Sequence, residues 1–360
     1  MAFGTLTRFD TLATAFNTTV AIFGEDLAWQ AIQEALDAHN QQLNESMGEF
    51  VESSTDRLRR YGGPDSMAME EMDEFGTPDA QKIGAGVTCA FPLKFYGIAL
   101  QWTRLFFLNA KASELAAQIT ASQDADIKAV QRELKKALFL SSNYTFIDRR
   151  IDGISLGVKA LVNNDGAAIP IAPDGTTFAT SHNHYLGTAN AWSGATGAQV
   201  QADVDALTAT VLEHFLAGTT TVYINRAQET KMRAATNFTP YVDARLIMGG
   251  GLTTAIAKGS LDVSNVANRA IGINGPAEIW VKPWIPSGYV ACVHSGGGGN
   301  ALVRRTRIGG GGNLDVLYEN EMYPLRARAL GREFGFGVWN RVAAACLDIT
   351  NASYTNPTIT

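Results

Sequence analysis

At 360 residues the chain is long enough for two or three cores, and with 46% hydrophobic and 18% charged residues it reads as globular and lightly charged. A net charge of −6 argues against bulk attraction to nucleic acid, and no apolar run approaches the ~18 residues a membrane span needs. Cys89, Cys292 and Cys346 are too widely and irregularly spaced for a disulfide framework or a zinc knuckle; they read as buried thiols in a reducing compartment. The start of the chain lacks the basic stretch and apolar core of a secretory signal.

Residues 1–24 are rich in Thr and Phe without a clear period, which predicts an extended arm ordered mainly by neighbouring subunits. Glu25 to about Val51 is helical, with Leu27, Ile32, Leu36 and Leu43 among its apolar positions. From Val87 the residues Val87, Cys89, Phe91, Leu93 and Phe95 alternate as in a half-buried strand; after Tyr96-Gly97 the apolar parity moves to Ile98, Leu100 and Trp102. A flip at Gly predicts a bulge within one strand of about 17 residues, some three times the usual length. Its partner is the run near Arg57–Tyr61, so 52–103 reads as a long hairpin arm that must lie across another surface.

Between Pro64 and Ala85 the carboxylates Asp65, Glu70, Glu71, Asp73, Glu74 and Asp79 face only Lys82. The run has neither the spacing nor the glycine of a calcium loop, so it reads as a solvated or docked tip. The expected contact surface with a neighbour comprises Glu70, Glu71, Asp73 and Glu74 with Phe91 and Leu93. The expected basic acceptors are Arg304, Arg305 and Arg307, or Arg326, Arg328 and Arg332.

Ser113 to Leu140 is the spine of the chain. No Pro or Gly interrupts it, and Leu115, Ile119, Ile127, Val130, Leu134 and Leu138 form one stripe, broken at Gln123. Glu114 at its start and Lys135 and Lys136 at its end suit the helix dipole. Some 28 residues make a rod of roughly 40 Å, and with no second helix of that length apparent, sheets are expected to hang on it.

Strands joined by turns at 163–166 and 173–175 follow through 154–186. His182 and His184 would share one face of a strand, about 7 Å apart, with His214 or His294 as the only plausible third imidazole. That pair admits a metal-dependent α/β enzyme as an outside alternative, but the contiguous His-Asn-His letters are no nuclease signature, and the reading taken is a structural loop with no metal, cofactor or catalytic residue. Gln199–Ala217 is an amphipathic helix. The strand Thr220–Ile224, a second helix to about Ala235, and strands near 271–273, 277–281 and 289–294 complete an α/β layer. The GGGGN runs at 296–300 and 309–313 lack the Lys and helix of a phosphate loop and read as flexible connections. Glu333–Ile349 reads as one strand buried on both faces, before a polar tail.

The order of these parts resembles the major capsid protein of tailed bacteriophages, the Hong Kong 97 or Johnson fold also used by encapsulin shells. The resemblance is carried by AFPLKFYGIALQWTR (90–104) before the spine helix, ALTATVLEHFLAGTTTVYINRAQETKMRAA (206–235), and GREFGFGVWNRVAAAC (331–346). It implies an α+β fold with an N-terminal arm and helix (1–51), an E-loop hairpin (52–103), a P-domain with the spine helix at 113–140 (104–198), an α/β A-domain (199–297) and a return to the P-domain with a C-terminal tail (298–360). It also implies a non-enzymatic shell protein that assembles in the host cytoplasm with copies of itself, as pentamers and hexamers, into the icosahedral head of a virion. The partners implied are double-stranded DNA held non-specifically on the inner face, portal, scaffold or decoration proteins, and no membrane. An encapsulin-like compartment is the alternative. Because the chain opens directly on the arm, assembly is expected with a separate scaffold or none. Some relatives crosslink an E-loop Lys to a neighbour's Asn; Lys82, Glu333 and Asn340 do not match that pattern and read as surface residues.

Overall fold

The computed structural model describes residues 8–48, 50–61, 69, 71–72, 74, 76, 86–243, 256–258, 268–296, 300–310, 312–322 and 325–359. The spine helix runs Ala112–Phe139, 28 residues, within one residue of expectation at each end. Leu115, Ile119, Val130, Leu134 and Leu138 are buried, and Ile127 packs partly buried against the core that holds Val130, Leu134 and Leu138. The break in the stripe has a cause. Gln123 donates to the Ala35 carbonyl at 3.1 Å, and buried Asp126 lies 2.8 Å from His39 Nε2 and 2.9 Å from Arg332. Both Ala35 and His39 belong to a second long helix, Glu25–Met47 of 23 residues, which runs against the spine. The expectation of a solitary rod is thereby corrected: polar groups replace apolar ones where the two helices and the sheet meet.

The N-terminal arm also departs from expectation. Arg8–Thr14 and Val20–Phe23 are short helices, and Leu12 and Val20 are fully buried in a core with Trp102, Phe107, Leu115 and Ile119 of the same chain. Thr18 and Ala110 carbonyls accept from Ala112 and Val20 N–H groups, fastening the arm to the start of the spine. Residues 8–24 are ordered by their own subunit; residues 1–7 lie outside the described residues.

Two sheets flank the spine. In the first, the 14-residue strand Leu325–Val338 is the common partner: Lys94–Thr103 pairs antiparallel with its first ten residues, Asp315–Met322 with its start on the other edge, and Leu302–Thr306 with its end, where Val51–Ser54 adds in parallel. The second sheet has eight strands in the order Ile256–Lys258, Phe238–Asp243, Arg269–Asn274, Ala277–Val281, Thr219–Ile224, Tyr289–Ser295, Ala344–Asp348 and Tyr185–Gly187. The helix Gly197–Leu212, opened by a Thr196–Gln199 capping box, buries Val200, Val204, Leu207 and Val211 on it. The region expected as one strand over 333–349 is therefore two strands in two sheets, joined by a buried crossing at 339–343. Both halves are buried on both faces, so alternation could not mark the boundary.

The long strand predicted over 87–103 is likewise two. Val87–Ala90 pairs with Leu58–Tyr61, and Lys94–Thr103 pairs with the closing strand, with Phe91-Pro92-Leu93 between them. The parity change falls at these three residues and not at Gly97: Lys94, Tyr96, Ile98, Leu100 and Trp102 hold one face throughout, and Phe95 is on the other, exposed.

Candidate functional site

The root of the hairpin arm is built on the closing strand Leu325–Val338. Gly335 and Gly337 of the closing strand lie beneath it. A Cβ at Gly337 would come within 2.7 Å of the Phe91 ring, and one at Gly335 within 2.8 Å of the Pro92 carbonyl carbon and closer still to its oxygen. The alternating glycines of GREFGFG thus let 91–93 cross the strand in backbone contact. Phe91 (0% exposed) packs with Cys89, Val162, Val303 and Val342. Leu93 is buried as well.

Ion pairs hold the root from outside the apolar cluster. Arg57 donates to both carboxylate oxygens of Asp152 at 2.7 and 2.6 Å, and its Nε lies 3.3 Å from buried Asp148. Those bonds, with the Ile154 N–H, hold the Asp152 carboxyl down at about 2. Arg305 donates to the Phe91 carbonyl (2.9 Å) and to Asp148 (3.0 Å). Arg59 grips Glu52 and Asp56 and lies over the Trp339 ring at 5.4 Å.

These positions correct the contact surface expected from sequence. Phe91 and Leu93 are interior residues of their own subunit. Of the basic acceptors, Arg305 is committed to Asp148 and Phe91; Arg304 donates to Asn44 (2.6 Å) and Ser53 (2.9 Å). Arg332, 1% exposed, meets Asp126 and the Asn40 side chain, and burial pushes its pKa down. Arg326 pairs with Glu25 and sits over the Phe107 ring; Arg328 pairs with Glu319 at 2.6 Å and sits over Trp29. Arg307 alone of the six is largely solvated, its side chain 68% exposed and 3.9 Å from Glu333. Glu71 and Glu74 are exposed, as are Met69 and Met72 beside them; Glu70, Asp73 and Lys82 lie outside the described residues. Glu333 is buried and pairs with Arg150, and Asn340 is buried, so neither is the ordinary surface residue expected.

Beside the root lies a groove of about 420 Å³ lined by Leu93, Arg150, Ile151, Arg307, Ile308 and Glu333. Ile147, Ile151, Ile154 and Ile308 are exposed in and around this part of the chain, with Arg150 lying over the ring of exposed Phe95 at 4.8 Å. The groove itself thus sets exposed Ile151 and Ile308 beside Arg150 and Arg307, a mixed lining of apolar and basic side chains. Composition gave no sign of it, because the residues come from three separated stretches.

The structure also brings His182 and His184 together with His214 and, missed in the sequence, Glu213. The three Nε2 atoms are 3.1–3.3 Å apart. His294 is elsewhere, bonded to Thr220 and the Ala217 carbonyl.

No family model matches the chain, and no curated protein matches it in sequence. Its fold does have solved counterparts. A structure from Mycobacterium phage Patience is similar over 98% of this chain and 95% of that one, with a TM-score of 0.66 at 20% identity. The capsid of the cyanophage P-SCSP1u (86% and 87% covered, TM-score 0.48, 10% identity) and the SrpI encapsulin complex of Synechococcus elongatus PCC 7942 (86% and 88%, 0.44, 12%) align less closely. The α+β architecture with spine helix, hairpin arm and two sheets is the Johnson-type fold that the sequence implied. No helix among the described residues is long and apolar enough to cross a membrane.

Proposed function

We propose that the chain is the major capsid protein of a tailed phage, a non-enzymatic subunit that closes with copies of itself, as pentamers and hexamers, into an icosahedral head around double-stranded DNA. The observation that carries this is the end-to-end likeness to the Mycobacterium phage Patience structure, which spans nearly all of both chains. Assembly takes place in the host cytoplasm, DNA lies non-specifically on the inner face of the virion shell, and portal, scaffold or decoration proteins are the further partners.

Within that reading the isoleucine groove at the arm root receives the hairpin tip of an adjacent copy. Met69 and Met72 supply apolar side chains and Glu71 and Glu74 the charge that complements Arg150 and Arg307. Exposed pairs are worth only about 0–1 kcal/mol each, so apolar burial provides the affinity and the charges the register. Sedimentation velocity and negative-stain microscopy of the purified protein test the proposal. Large closed particles are expected, and DNA-filled heads with a tail vertex in the native source; a monomer under all assembly conditions would refute the shell reading, and cargo-loaded spheres without a portal would replace phage by encapsulin. Ile151→Asp is expected to block assembly while leaving the subunit folded.

A further inference from the structure

We propose that His182, His184, His214 and Glu213 form a tetrahedral site for a divalent transition metal of the zinc class. The three imidazole rings have centroids 5.0, 5.3 and 5.1 Å apart, yet their Nε2 atoms are only 3.1, 3.3 and 3.2 Å apart, so all three point the same ring edge at one centre. Zinc–nitrogen bonds of about 2.0–2.1 Å in a tetrahedron place ligand atoms roughly 3.3–3.4 Å from one another. The nitrogen triangle has that size. Glu213 Oε1 offers a fourth donor, 3.2 Å from His182 Nε2 and 3.7 Å from His214 Nε2, with all four ligand atoms within 4.8 Å of one another.

Hydrogen bonding alone does not account for the triangle. His184 Nδ1 donates to the Ala344 carbonyl at 2.7 Å, so the neutral ring presents a bare lone pair at Nε2. His182 and His214 each offer either one N–H or one lone pair at Nε2. Whichever they choose, at least one of the three contacts sets like against like. A cation at the centre satisfies all three at once. The Ala344 carbonyl then plays the outer role that orients a ligating imidazole and fixes its tautomer.

The surroundings favour a positive guest. Glu213 is the C-terminal cap of the helix Gly197–Leu212, whose dipole adds negative potential there. Phe178 packs against His182 and His214, with centroids 5.0 and 4.2 Å away. His214 is only 2% exposed at its side chain, while His182 (19%) and Glu213 (39%) give the ion its entry. Calcium and magnesium need oxygen-rich sets and are disfavoured. Four protein ligands close the coordination sphere, which marks a structural ion and not a catalytic one. It would pin the loop before Tyr185–Gly187 to the end of the helix packed on the same sheet.

The test uses the full-length protein, stripped with chelator, exposed to zinc chloride and dialysed. Elemental analysis is expected to find on the order of one zinc per chain, falling at least tenfold in the double variant His182→Ala/His214→Ala and markedly in the milder Glu213→Gln. Cobalt substitution should give the intense visible absorption of a tetrahedral site, and zinc should raise the Tm of wild type and not of the double variant. Folded wild-type protein that retains no more zinc than the double variant would overturn the site. A pale octahedral cobalt spectrum would overturn the tetrahedral assignment. Should the variants fail to fold, an unchanged wild-type Tm with and without zinc would be equally decisive against it.

Discussion

Gly335→Ala places a methyl group against the Pro92 carbonyl, 2.8 Å from its carbon and closer to its oxygen, with Pro92 Cγ at 3.2 Å. The obstacle is backbone, and Gly335 itself is held by pairing to Arg305 on one side. Relief therefore requires the 91–93 crossing to lift from the closing strand. Overpacking of this kind costs about 1–3 kcal/mol, whereas the alanine recovers about 0.4–1 kcal/mol by narrowing the unfolded ensemble. A net loss of about 1–2 kcal/mol concentrated at the arm root corresponds to roughly five- to thirtyfold faster opening there. Hydrogen exchange of the Phe91 N–H, which donates to the Arg57 carbonyl at 3.1 Å, and of the Val87–Ala90 amides should report it, with spine-helix amides unchanged. Gly157→Ala is the control: its strand is regular and nothing lies within 4 Å of the added methyl. Unchanged exchange at the arm root in Gly335→Ala would show that the close crossing does not restrain the arm.

Phe91→Ala removes a fully buried ring and should cost the isolated subunit about 3–5 kcal/mol, read as a lower denaturation midpoint in unassembled protein; a defect confined to assembly would place Phe91 in the interface after all. Asp126→Ala leaves Arg332 buried beside His39 without its carboxylate and should cost about 3–5 kcal/mol by the same measurement, while wild-type stability would mean the network contributes nothing. Asp165 gives a pH signature: burial opposes its charge, but Asn143, Arg341 and Lys159 outweigh burial and hold the carboxyl at about 2, below its ordinary 3.8. A depressed carboxylate contributes stability above the unfolded value that is lost as pH falls through the folded one, so melting temperature should drop between about pH 4 and 2, and less so in Asp165→Asn.

The spine was legible to within a residue because Leu, Ile and Val recur at helical spacing along a 28-residue run that no Pro or Gly interrupts, even across the polar break at Gln123. The helix Gly197–Leu212 and the strands at 219–224, 277–281 and 289–295 were legible for the same local reason. What escaped was set by partners distant in sequence. Arg326 meets Glu25 across 301 residues and Arg332 meets Asn40 across 292, so counting arginines marked two free basic patches where the folded chain leaves only Arg307 of the six largely solvated. Phe91 and Phe95 look alike in an alternating run; only the glycines at 335 and 337, far along the chain, determine that one is interior and the other exposed. His182 and His184 announced themselves by spacing, but Glu213 and His214, adjacent at the end of a helix, had no local mark.

The arm root and the histidine cluster rest on one support, the crossing at 339–343 with the first residue of the strand after it. Trp339 lies under Arg59 of the arm, and Val342 packs in the cluster that holds Phe91 and Cys89. Arg341, buried between them, donates to the Ala160 and Leu161 carbonyls, while its own carbonyl accepts from Val162. The Val162 carbonyl accepts from the His184 N–H at 2.8 Å, and Ala344, two residues beyond Val342, orients the His184 ring. A continuous run of buried hydrogen bonds and packed side chains thus leads from the arm to the proposed metal ligands. The N-terminal half of the spine, with Leu115 and Ile119, belongs to a different core shared with the N-terminal arm. Loosening the histidine cluster should therefore be felt at the arm root, through Val162, Arg341 and Val342, before it is felt there.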